Sequence, residues 1–523
     1  MSPSPDLLRR LDWRFLLPVS PEGGWRRLAL FGGPAGLADV ARSLGIAHEV
    51  STEAGGTATT DLLAILRGGP RPPAAVLRSL RPGGIVYLEP NERRSFAAPA
   101  APLRSPLALF RRRGLTVTGI WAVWPAPEDY AVYLPLAAPG AVRWFARTLH
   151  PAPTLRERLL EAGLRLGRGR SSALLLTRSF AFMAMAGPGP AGRPALLADP
   201  GLPAELRRGD LEPVLVTHGG ERVLVLPFPR RGRAPAGVLK VSRCAAFNGK
   251  TTGEQGSLAR FRPVLGDDLG RAVPAGRGCF EHGGLAVGIE EYAAGRPLLL
   301  SGSRWGTPLR RKVADLRLAV SWLTGMNRRG ELRREPWSER EVGTWIAEPC
   351  AAFLRSAGGA PEERLFAAAQ SRARELCGRP FPLVPRHRDF TPWNLLRDGR
   401  RLRVLDWEGL QNGPPACDLF HFLTHWAELA HVAEAPEARL RAFRETLVAP
   451  RPGDPVAAAA AEALAAYCTE LRLDRDFLPV LLVHTWVEIA LRGGAPRDAA
   501  YVGVLAEHTE TLFREAGHAR RVA

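Results

Sequence analysis

Short apolar runs alternate with helix-like segments along the first third of the chain. The runs at residues 28–31, 61–66 and 85–88 are almost continuously apolar, which is typical of strands buried on both faces of a sheet. Residues 115–124 and 130–136 predict two further strands that pair antiparallel. Because strands that alternate with helices are the pattern of a doubly wound sheet, the sequence predicts an α/β Rossmann-like domain here.

The pattern of the remaining chain is different. Residues 213–217, 222–226 and 238–241 predict three strands, followed by a helix over 251–265 and a strand over 285–289. Beyond these elements, apolar residues recur mostly at helical spacing. The C-terminal helices predicted in this way cover residues 419–432, 437–448, 455–471, 477–491 and 499–515.

A stretch rich in glycine and proline separates the two patterns. It begins at Gly187-Pro188-Gly189-Pro190 and is typical of a linker. A chain of 523 residues exceeds what one core usually organises, so two or three domains are expected. We predict a Rossmann-like domain at 1–186, a linker at 187–205 and a bilobal domain at 206–523, whose lobes cover 206–298 and 299–523.

The candidate chemistry lies in a short segment of the bilobal domain. Asp389, Asn394 and Asp406 place a carboxylate, a carboxamide and a second carboxylate at the spacing that phosphoryl transfer from Mg·ATP requires. Residues 395–405 predict a hairpin with Asp398-Gly399 at its tip, which returns Asp406 to the neighbourhood of Asn394. Asp389 would accept the proton of a hydroxyl group, and Asn394 and Asp406 would hold the metal ion.

This segment resembles the aminoglycoside phosphotransferase and choline kinase family, small-molecule relatives of the protein kinases. The resemblance implies an α+β, bilobal, protein-kinase-like fold with a helical C-terminal lobe, and ATP and Mg²⁺ as cofactors. It makes His387 a structural support of the catalytic loop. Asp406-Trp407-Glu408 stands where protein kinases have Asp-Phe-Gly, which favours a small hydroxylated acceptor over a protein. The stretches that carry the resemblance are His387-Arg388-Asp389-Phe390-Thr391-Pro392-Trp393-Asn394, Asp406-Trp407-Glu408 and Gly413-Pro414-Pro415-Ala416-Cys417-Asp418-Leu419.

Lysine is scarce in this chain, which draws attention to Lys240 in the middle of a predicted strand. In a kinase-like first lobe, a glycine-containing turn precedes a strand whose lysine contacts the ATP phosphates. The resemblance therefore implies that Lys240 binds phosphates with Glu254 as its partner. It also places Gly219, Gly220 and Glu291 near the nucleotide, the last in the hinge whose backbone meets the adenine. The alternatives are a lysine that reaches solvent from an edge strand and an ordinary two-glycine hairpin.

Residues 1–186 resemble the class I S-adenosylmethionine-dependent methyltransferases. In this family an acid binds the ribose, and Glu49 would have to take that role. The acid that normally precedes the glycine turn is missing, and residues 50–61 are too few for the usual helix, strand and helix. We therefore interpret the domain as degenerate, with S-adenosylmethionine as its implied cofactor. The resemblance rests on Gly32-Gly33-Pro34-Ala35-Gly36, Asp61-Leu62-Leu63-Ala64-Ile65-Leu66 and Leu80-Arg81-Pro82-Gly83-Gly84.

Charge and cysteine content narrow the classes of partner and compartment. The formal net charge is +19, but arginine supplies nearly all of it within an Ala-, Gly- and Pro-rich sequence, and no long basic block with interleaved aromatic residues occurs. The sequence therefore does not predict a specific nucleic-acid partner. The six cysteines are scattered without paired spacing, which favours a reducing compartment. No signal peptide or transmembrane segment is recognisable, so a cytoplasmic protein is expected.

Together these features predict an ATP-dependent phosphotransferase that acts on a hydroxyl group of a small molecule. The acceptor (a sugar, an amino alcohol or a secondary metabolite) and the oligomeric state stay open. The alternatives are a methyltransferase with a fused kinase-like domain, a nucleotide-binding scaffold without catalysis, and a nucleic-acid binder that uses its basic surface. The residues that would line the acceptor pocket, or else pack in the core, are His425, Trp426, His484, Trp486 and Glu488.

Overall fold

The described part of the chain forms two compact units, each of which is presented by itself. The first unit takes its described residues from 1–150, 156–256 and 275–292, and the second takes them from 151–155, 257–274 and 293–523. The predicted domain boundaries stay a prediction, because compactness does not show which parts of a chain fold independently. The computed structural model describes residues 4–20, 24–53, 59–68, 76–90, 101–166, 176–177, 179–187, 192–493 and 496–518, so part of the predicted linker lies outside the described residues.

The first unit contains one mixed sheet of twelve strands. Neighbouring strands in this sheet are hydrogen-bonded in an order that interleaves early and late segments of the chain. The strands are β1 (Arg27–Phe31), β2 (Glu49–Ser51), β3 (Thr60–Ile65), β4 (Leu80–Leu88), β5 (Leu115–Trp124), β6 (Val132–Pro135), β7 (Ser179–Ala186), β8 (Leu211–His218), β9 (Arg222–Pro229), β10 (Val238–Ser242), β11 (Gly276–His282) and β12 (Leu285–Glu290).

The strand order is β11-β12-β10-β9-β8-β6-β5-β7-β4-β3-β1-β2. Strands β2, β1, β3 and β4 run parallel, and all other pairs are antiparallel, including the predicted pair β5–β6. Strand β6 pairs with β8 through Val132 and Val216, so one sheet contains strands from both sides of the predicted linker. A large mixed sheet is therefore present, whereas a separate Rossmann-like domain is not confirmed.

Strand β4 departs from the sequence prediction. The sequence predicts a strand at 85–88 only, yet Leu80–Leu88, which includes the glycine-containing stretch, is a single strand. Its register with β3 shifts between the pairs Thr60–Leu80 and Leu62–Ile85, so the extra residues bulge out of the ladder. Gly83 has a φ of 77°, a left-handed conformation that glycine adopts without steric cost.

Side chains of the parallel strands alternate between two hydrophobic cores, one on each face of the sheet. Leu28 and Leu62 belong to one core, and their neighbours Ala29 and Leu63 belong to the other, as the period of two in a strand requires. The helices of this unit are α1 (Pro5–Arg10), α2 (Leu37–Ser43), α3 (Ala101–Arg112), α4 (Pro139–Thr148), α5 (Leu155–Leu166), α6 (Ala195–Ala198) and α7 (Asn248–Phe261), the last of which continues into the second unit.

The second unit is largely helical and packs around one core. Two small antiparallel sheets accompany the helices, β13 (Arg296–Pro297) with β16 (Leu395–Asp398) and β17 (Arg401–Val404), and β14 (Arg333–Pro336) with β15 (Pro380–Arg386) and β18 (Gln411–Gly413). Its helices are α8 (Gly266–Gly270), α9 (Leu298–Gly302), α10 (Leu309–Arg329), α11 (Glu339–Val342), α12 (Glu348–Ala357), α13 (Ala360–Glu375), α14 (Cys417–Ala430), α15 (Pro436–Phe443), α16 (Pro455–Leu471), α17 (Leu478–Gly493), α18 (Pro496–Glu507) and α19 (Thr509–His518).

The predicted C-terminal helices are confirmed, with shifted ends. The segment predicted as one helix over 499–515 consists of α18 and α19, which meet at His508. Among the helices that the structure describes, none combines the length and hydropathy that a bilayer span needs.

A buried ion pair between two segments of the first unit stabilises it. Asp12, just after α1, pairs with Arg243, just after β10, at 2.8 Å, and both side chains are 0% exposed. Tyr130 also donates to the Asp12 carboxylate, and Arg243 donates to the carbonyl oxygen of Gly219. The hydrogen bonds satisfy the buried charges, which would otherwise be costly to bury.

Asp12→Asn should lower the free energy of unfolding by about 3–5 kcal/mol, because Arg243 would remain buried without its counter-charge. Asp39→Asn is the matched control, since Asp39 pairs with Arg42 at a site where the two side chains are 79% and 53% exposed. The control should change stability by only about 0–1 kcal/mol. Denaturant titration followed by circular dichroism measures both, and equal losses would contradict the expected difference.

Candidate active site

The hairpin formed by β16 and β17 brings Asn394 and Asp406 together. Gly399 at its tip has a φ of 61°, which the tight turn requires and glycine supplies. The strands pair through Leu395 and Val404, and the Leu405 amide donates to the Asn394 carbonyl oxygen at 2.9 Å. The two predicted metal ligands are therefore neighbours, and the predicted hairpin is confirmed.

Asp389 lies beside Asn394 on the loop that precedes the hairpin. The Asn394 amide donates to the Asp389 carboxylate at 2.7 Å and to its carbonyl oxygen at 3.0 Å. Burial raises the pKa of the Asp389 carboxyl above its ordinary value; the charge of Asp406 adds to this, while the hydrogen bond from Asn394 acts against it. A carboxylate with a raised pKa is a better proton acceptor than an ordinary surface carboxylate.

His387 supports this loop, as the resemblance implies. Its side chain is fully buried, its Nε2 donates to the Leu405 carbonyl oxygen at 2.8 Å, and its Nδ1 accepts from the Asp389 amide at 3.3 Å. A carbonyl oxygen can only accept and an amide can only donate, so this pair of bonds requires the neutral tautomer with the proton on Nε2. The ring therefore connects the Asp389 backbone to the residue before Asp406.

Asp418, at the start of α14, holds the other side of the loop. Its carboxylate accepts from the amides of His387 at 2.6 Å and Arg388 at 2.8 Å. Arg388 has a φ of 68°, which is strained for a residue with a side chain. The carboxylate therefore stabilises a backbone conformation that the loop would not hold by itself.

Asn394 and Asp406 offer oxygen ligands of the kind that Mg²⁺ prefers. The charge of Asp406 contributes to the raised pKa of Asp389, so two carboxylates lie close enough to repel each other. A bound cation would relieve that repulsion, and the residues present therefore fit Mg²⁺ with phosphate and water completing its coordination. Among the described residues, no group of three or more His, Cys, Asp or Glu side chains could hold a metal without such outside ligands.

Lys240 and Glu254 form an ion pair inside the first unit. Glu254 also accepts from Arg222 at 2.6 Å, and Lys240 has a second partner in Glu290 at 3.0 Å. All four side chains are buried, so the two cations are balanced by two carboxylates. Contact between Lys240 or Glu254 and a nucleotide stays a prediction.

The two predicted glycines lie in the turn between β8 and β9. Gly219 has a φ of 58° and its carbonyl oxygen accepts from Arg243 at 2.7 Å. A Cβ added to Gly220 would lie 2.7 Å from Cβ of Pro5, so α1 packs directly on this turn. Both glycines therefore have structural reasons for their presence that involve no ligand, and their contact with a nucleotide stays a prediction.

Glu291 follows β12 directly. Its amide donates to the Ala275 carbonyl oxygen at 2.9 Å, which extends the pairing of β11 and β12 by one step. Its role at the hinge stays a prediction, because such a role would use the backbone of the segment.

The candidates for the acceptor pocket divide into two groups. Trp426 is 1% exposed and donates to the Lys312 carbonyl oxygen, and Trp486 stacks on Tyr501 at 4.0 Å, so both tryptophans belong to the core. His484 is also buried, and burial lowers its pKa to about 4. His425 is partly exposed, and its Nδ1 lies 3.2 Å from the Glu428 carboxylate.

Sequence reasoning misses several charged residues around these groups. Arg222 and Glu290 of the Lys240 cluster are recognisable only once the register pairs Lys240 with Gly288, which places Glu290 on the same face two residues away. Arg386 and Arg388 flank His387 and both pair with Glu488, at 2.5 and 3.1 Å. Their position on either side of His387 is the signal that could have identified them.

The residues at the parallel strands do not fit S-adenosylmethionine. Glu49 is the first residue of β2 and pairs with Arg27, the first residue of β1, so it lies at the edge opposite the glycine turn. A Cβ on Gly33 would lie 2.8 Å from Leu37, so the turn packs against the side chain of its own helix. The prediction of Glu49 as the ribose acid is wrong because the strand begins at that residue and does not end there.

Residues 209–456 match the model of the phosphotransferase enzyme family (APH). The matched segment contains β8, β9 and β10, the Lys240 cluster, Asp389, Asn394, Asp406 and Asp418. A search of curated protein sequences gives no match.

Several solved structures of kinases are similar to this chain. A thermostable mutant of aminoglycoside phosphotransferase APH(4)-Ia, in its apo form, is 14% identical with a TM-score of 0.35 over 59% of this chain and 92% of its own. A glucosamine kinase is 16% identical with a TM-score of 0.35 over 59% and 92%. A choline kinase from Cryptosporidium parvum Iowa II is 13% identical with a TM-score of 0.31 over 60% and 89%.

The family match indicates a kinase-like fold and a phosphotransferase for residues 209–456. Nothing in these similarities supports the resemblance of residues 1–186 to methyltransferases.

Proposed function

We propose that residues 206–523 transfer the γ-phosphoryl group of Mg·ATP to a hydroxyl group of a small molecule. The observation that carries the proposal is the convergence of Asp389, Asn394 and Asp406 on one loop and hairpin, with Asn394 bonded to Asp389 at 2.7 Å. The match of residues 209–456 to the phosphotransferase family supports it. The three residue types are those that position an acceptor and hold magnesium in phosphoryl transfer.

In this proposal Asp389 receives the proton of the acceptor hydroxyl. Its Oδ2 already accepts from Asn394, so Oδ1 is the atom that orients the hydroxyl and takes the proton as the reaction proceeds. The acceptor oxygen forms a bond to the γ-phosphorus, the bond from that phosphorus to the β,γ-bridging oxygen breaks, and ADP leaves. Positioning by the fixed loop would contribute much of the rate.

Asn394 and Asp406 would hold Mg²⁺, which when bound neutralises the negative charge of the phosphates. In the first unit, Lys240 would contribute a fixed positive charge to the phosphates. Glu254 and Glu290 restrict the Lys240 side chain to one position, which lowers the entropy that binding would otherwise cost.

The carboxylates near the catalytic loop already have cationic partners. Glu488 pairs with Arg386 and Arg388, and Glu428 contacts Arg497 at 3.3 Å. Carboxylates that are neutralised in this way offer little attraction to an acceptor with several amino groups. We therefore infer a neutral or weakly charged hydroxylated acceptor rather than a polycation.

Glu488→Gln should destabilise the protein near pH 7. Burial raises the pKa of Glu488, but the neighbouring Arg386 lowers it by more, so that the pKa falls to about 2. The folded state then binds the proton more weakly than the unfolded state, so the contribution of Glu488, on the order of 3 kcal/mol, is present above the ordinary carboxyl pKa and lost as pH falls below it. Urea denaturation at a series of pH values should show the difference between wild type and variant narrowing under acid conditions.

The exposed pair of Glu462 and Arg317 provides the control for this experiment, since the two side chains are 63% and 66% exposed. Glu462→Gln should cost less than about 1 kcal/mol. If the Glu488 variant were as stable as this control, the ion pair between Glu488 and Arg386 would contribute nothing to the free energy of unfolding.

Calorimetric titration tests the proposed cofactor. Mg·ATP should bind the wild type, and Asp406→Ala should weaken binding by about tenfold or more as a metal ligand is lost. Asp389→Asn should still bind Mg·ATP, because the carboxamide oxygen can accept the hydrogen bond from Asn394 as the carboxylate does. The carboxamide cannot accept the proton of the acceptor hydroxyl. With any acceptor found by screening hydroxylated compounds, the same variant should lose turnover.

The two variants separate binding from catalysis. No Mg·ATP binding by a folded wild type would reject the kinase proposal. Binding that Asp406→Ala leaves unchanged would reject the metal assignment, and binding without turnover in any acceptor screen would favour the scaffold alternative.

The first 186 residues are proposed to be a degenerate, methyltransferase-like domain without methyl transfer. The parallel order β2-β1-β3-β4 supports a doubly wound origin, whereas the placement of Glu49 and the packing of Gly33 oppose a cofactor role. Titration of S-adenosylmethionine into the full chain should therefore show no binding. Measurable binding that Gly33→Ala abolishes would restore the methyltransferase alternative.

All six cysteines are free in the structure. Free thiols are typical of proteins in reducing compartments, which supports the proposal of a cytoplasmic location.

A further inference from the structure

A cavity of about 310 Å³ lies in the first unit, and four of its seven lining residues are arginines. None of the residues that line it is acidic. This volume is at the lower end of the range of small-molecule pockets, which begins at about 300 Å³. The lining residues are Gly140, Arg143, Trp144, Arg147, Arg165, Leu166 and Arg233.

Helix α4 and the loop after β9 build the cationic wall. Arg143 and Arg147 are one turn apart on α4, so their side chains lie on the same face. A Cβ on Gly140 would lie 2.1 Å from the Gly232 carbonyl oxygen, so only glycine permits this approach of the loop that carries Arg233. With Arg165 on α5, the fold therefore brings arginines from three separate segments to one cavity.

Two of these arginines lack a protein partner within the described residues. Arg143 and Arg233 take part in no hydrogen bond or ion pair with them, whereas Arg165 is paired with Glu161 on its own helix. Arg143 also repels the like charge of Arg147, one helical turn away. An anion in the cavity would give Arg143 and Arg233 a partner of opposite charge.

Trp144 forms a fixed apolar wall of the same cavity. It is 5% exposed, and its indole nitrogen donates to the Tyr292 hydroxyl at 2.7 Å. Its ring also meets Phe228 edge-on at 6.1 Å. A rigid aromatic wall beside several guanidinium groups suits a compound that joins an anionic group to an uncharged body.

We propose that this cavity binds a small molecule that carries phosphate groups, at a site separate from Asp389, Asn394 and Asp406. The planar guanidinium group donates two parallel hydrogen bonds to a phosphate, which makes arginine the preferred residue for this recognition. The volume of about 310 Å³ favours a small ligand over a nucleic acid, which needs an extended basic surface.

Inorganic pyrophosphate is the probe for the test, titrated calorimetrically into the full chain in EDTA and low salt. Removing Mg²⁺ suppresses binding at the proposed kinase site. The wild type should bind one equivalent, and Arg143→Gln combined with Arg233→Gln should weaken binding by at least about tenfold, because two hydrogen bonds between charged groups are lost.

Arg111→Gln combined with Arg113→Gln is the matched control. It removes the same charge from exposed arginines of the same unit that do not line the cavity, and binding should stay within about twofold. Thermal melting of each variant confirms that it is folded. No binding by the wild type, or equal losses in the two double variants, would overturn the proposal.

Two further titrations identify the site and the ligand class. Asp406→Ala should leave pyrophosphate binding unchanged, whereas its loss would place the ligand at the kinase site and overturn the proposal. A single-stranded oligonucleotide should bind more weakly than pyrophosphate and without sensitivity to the cavity arginines. If the cavity variant instead lost only oligonucleotide binding, a nucleic-acid site would replace the proposed one.

Discussion

The geometry of the candidate active site depends on the carboxylate of Asp418. It accepts two backbone amides of the catalytic loop and holds Arg388 in a left-handed conformation, at a φ of 68°. Just before α14, the Ala416 amide donates to Tyr467, whose hydroxyl in turn donates to Asn327 at 2.7 Å. A buried network thus fixes the point from which Asp418 acts. The loop is stabilised by hydrogen bonds from a helix start, so the position of Asp389 depends on packing outside the loop itself.

The two sets of charged residues differ in electrostatic balance. In the first unit, the two cations Lys240 and Arg222 pair with two carboxylates, those of Glu254 and Glu290. The cluster is therefore neutral and fully paired without a ligand. In the second unit Asp389 and Asp406 are close, and the charge of one raises the pKa of the other. A balanced cluster can serve as structure alone, whereas two carboxylates whose charges oppose each other offer oxygen ligands to a cation. The second unit therefore carries the stronger argument for chemistry.

Local patterns in the sequence predict local structure well here. The hairpin between Asn394 and Asp406 is predictable because Asp398-Gly399 specifies the turn and alternating residues specify the strands. The partnership of Lys240 with Glu290 is not predictable, since it depends on how β12 registers against β10. Helical periodicity likewise cannot decide whether a histidine or tryptophan on α14 or α17 faces the core or a pocket. The error at Glu49 has a related origin. The sequence does not fix where β2 begins and ends, so it cannot tell whether Glu49 lies at the first or the last residue of the strand.

The continuous sheet connects the strands of the first half of the chain to the strand that carries Lys240. Strand β6 pairs with β8, and β8 leads through β9 to β10, which carries Lys240. The N-terminal residues also contact this part of the sheet. Asp12 pairs with Arg243 just after β10, and α1 packs on the turn at Gly220. Because sheets and buried ion pairs resist deformation, the backbone around Lys240 is defined by residues that lie outside the segment matched to the phosphotransferase family. The early strands therefore act as structural support for that lysine, whatever ligand they do or do not bind.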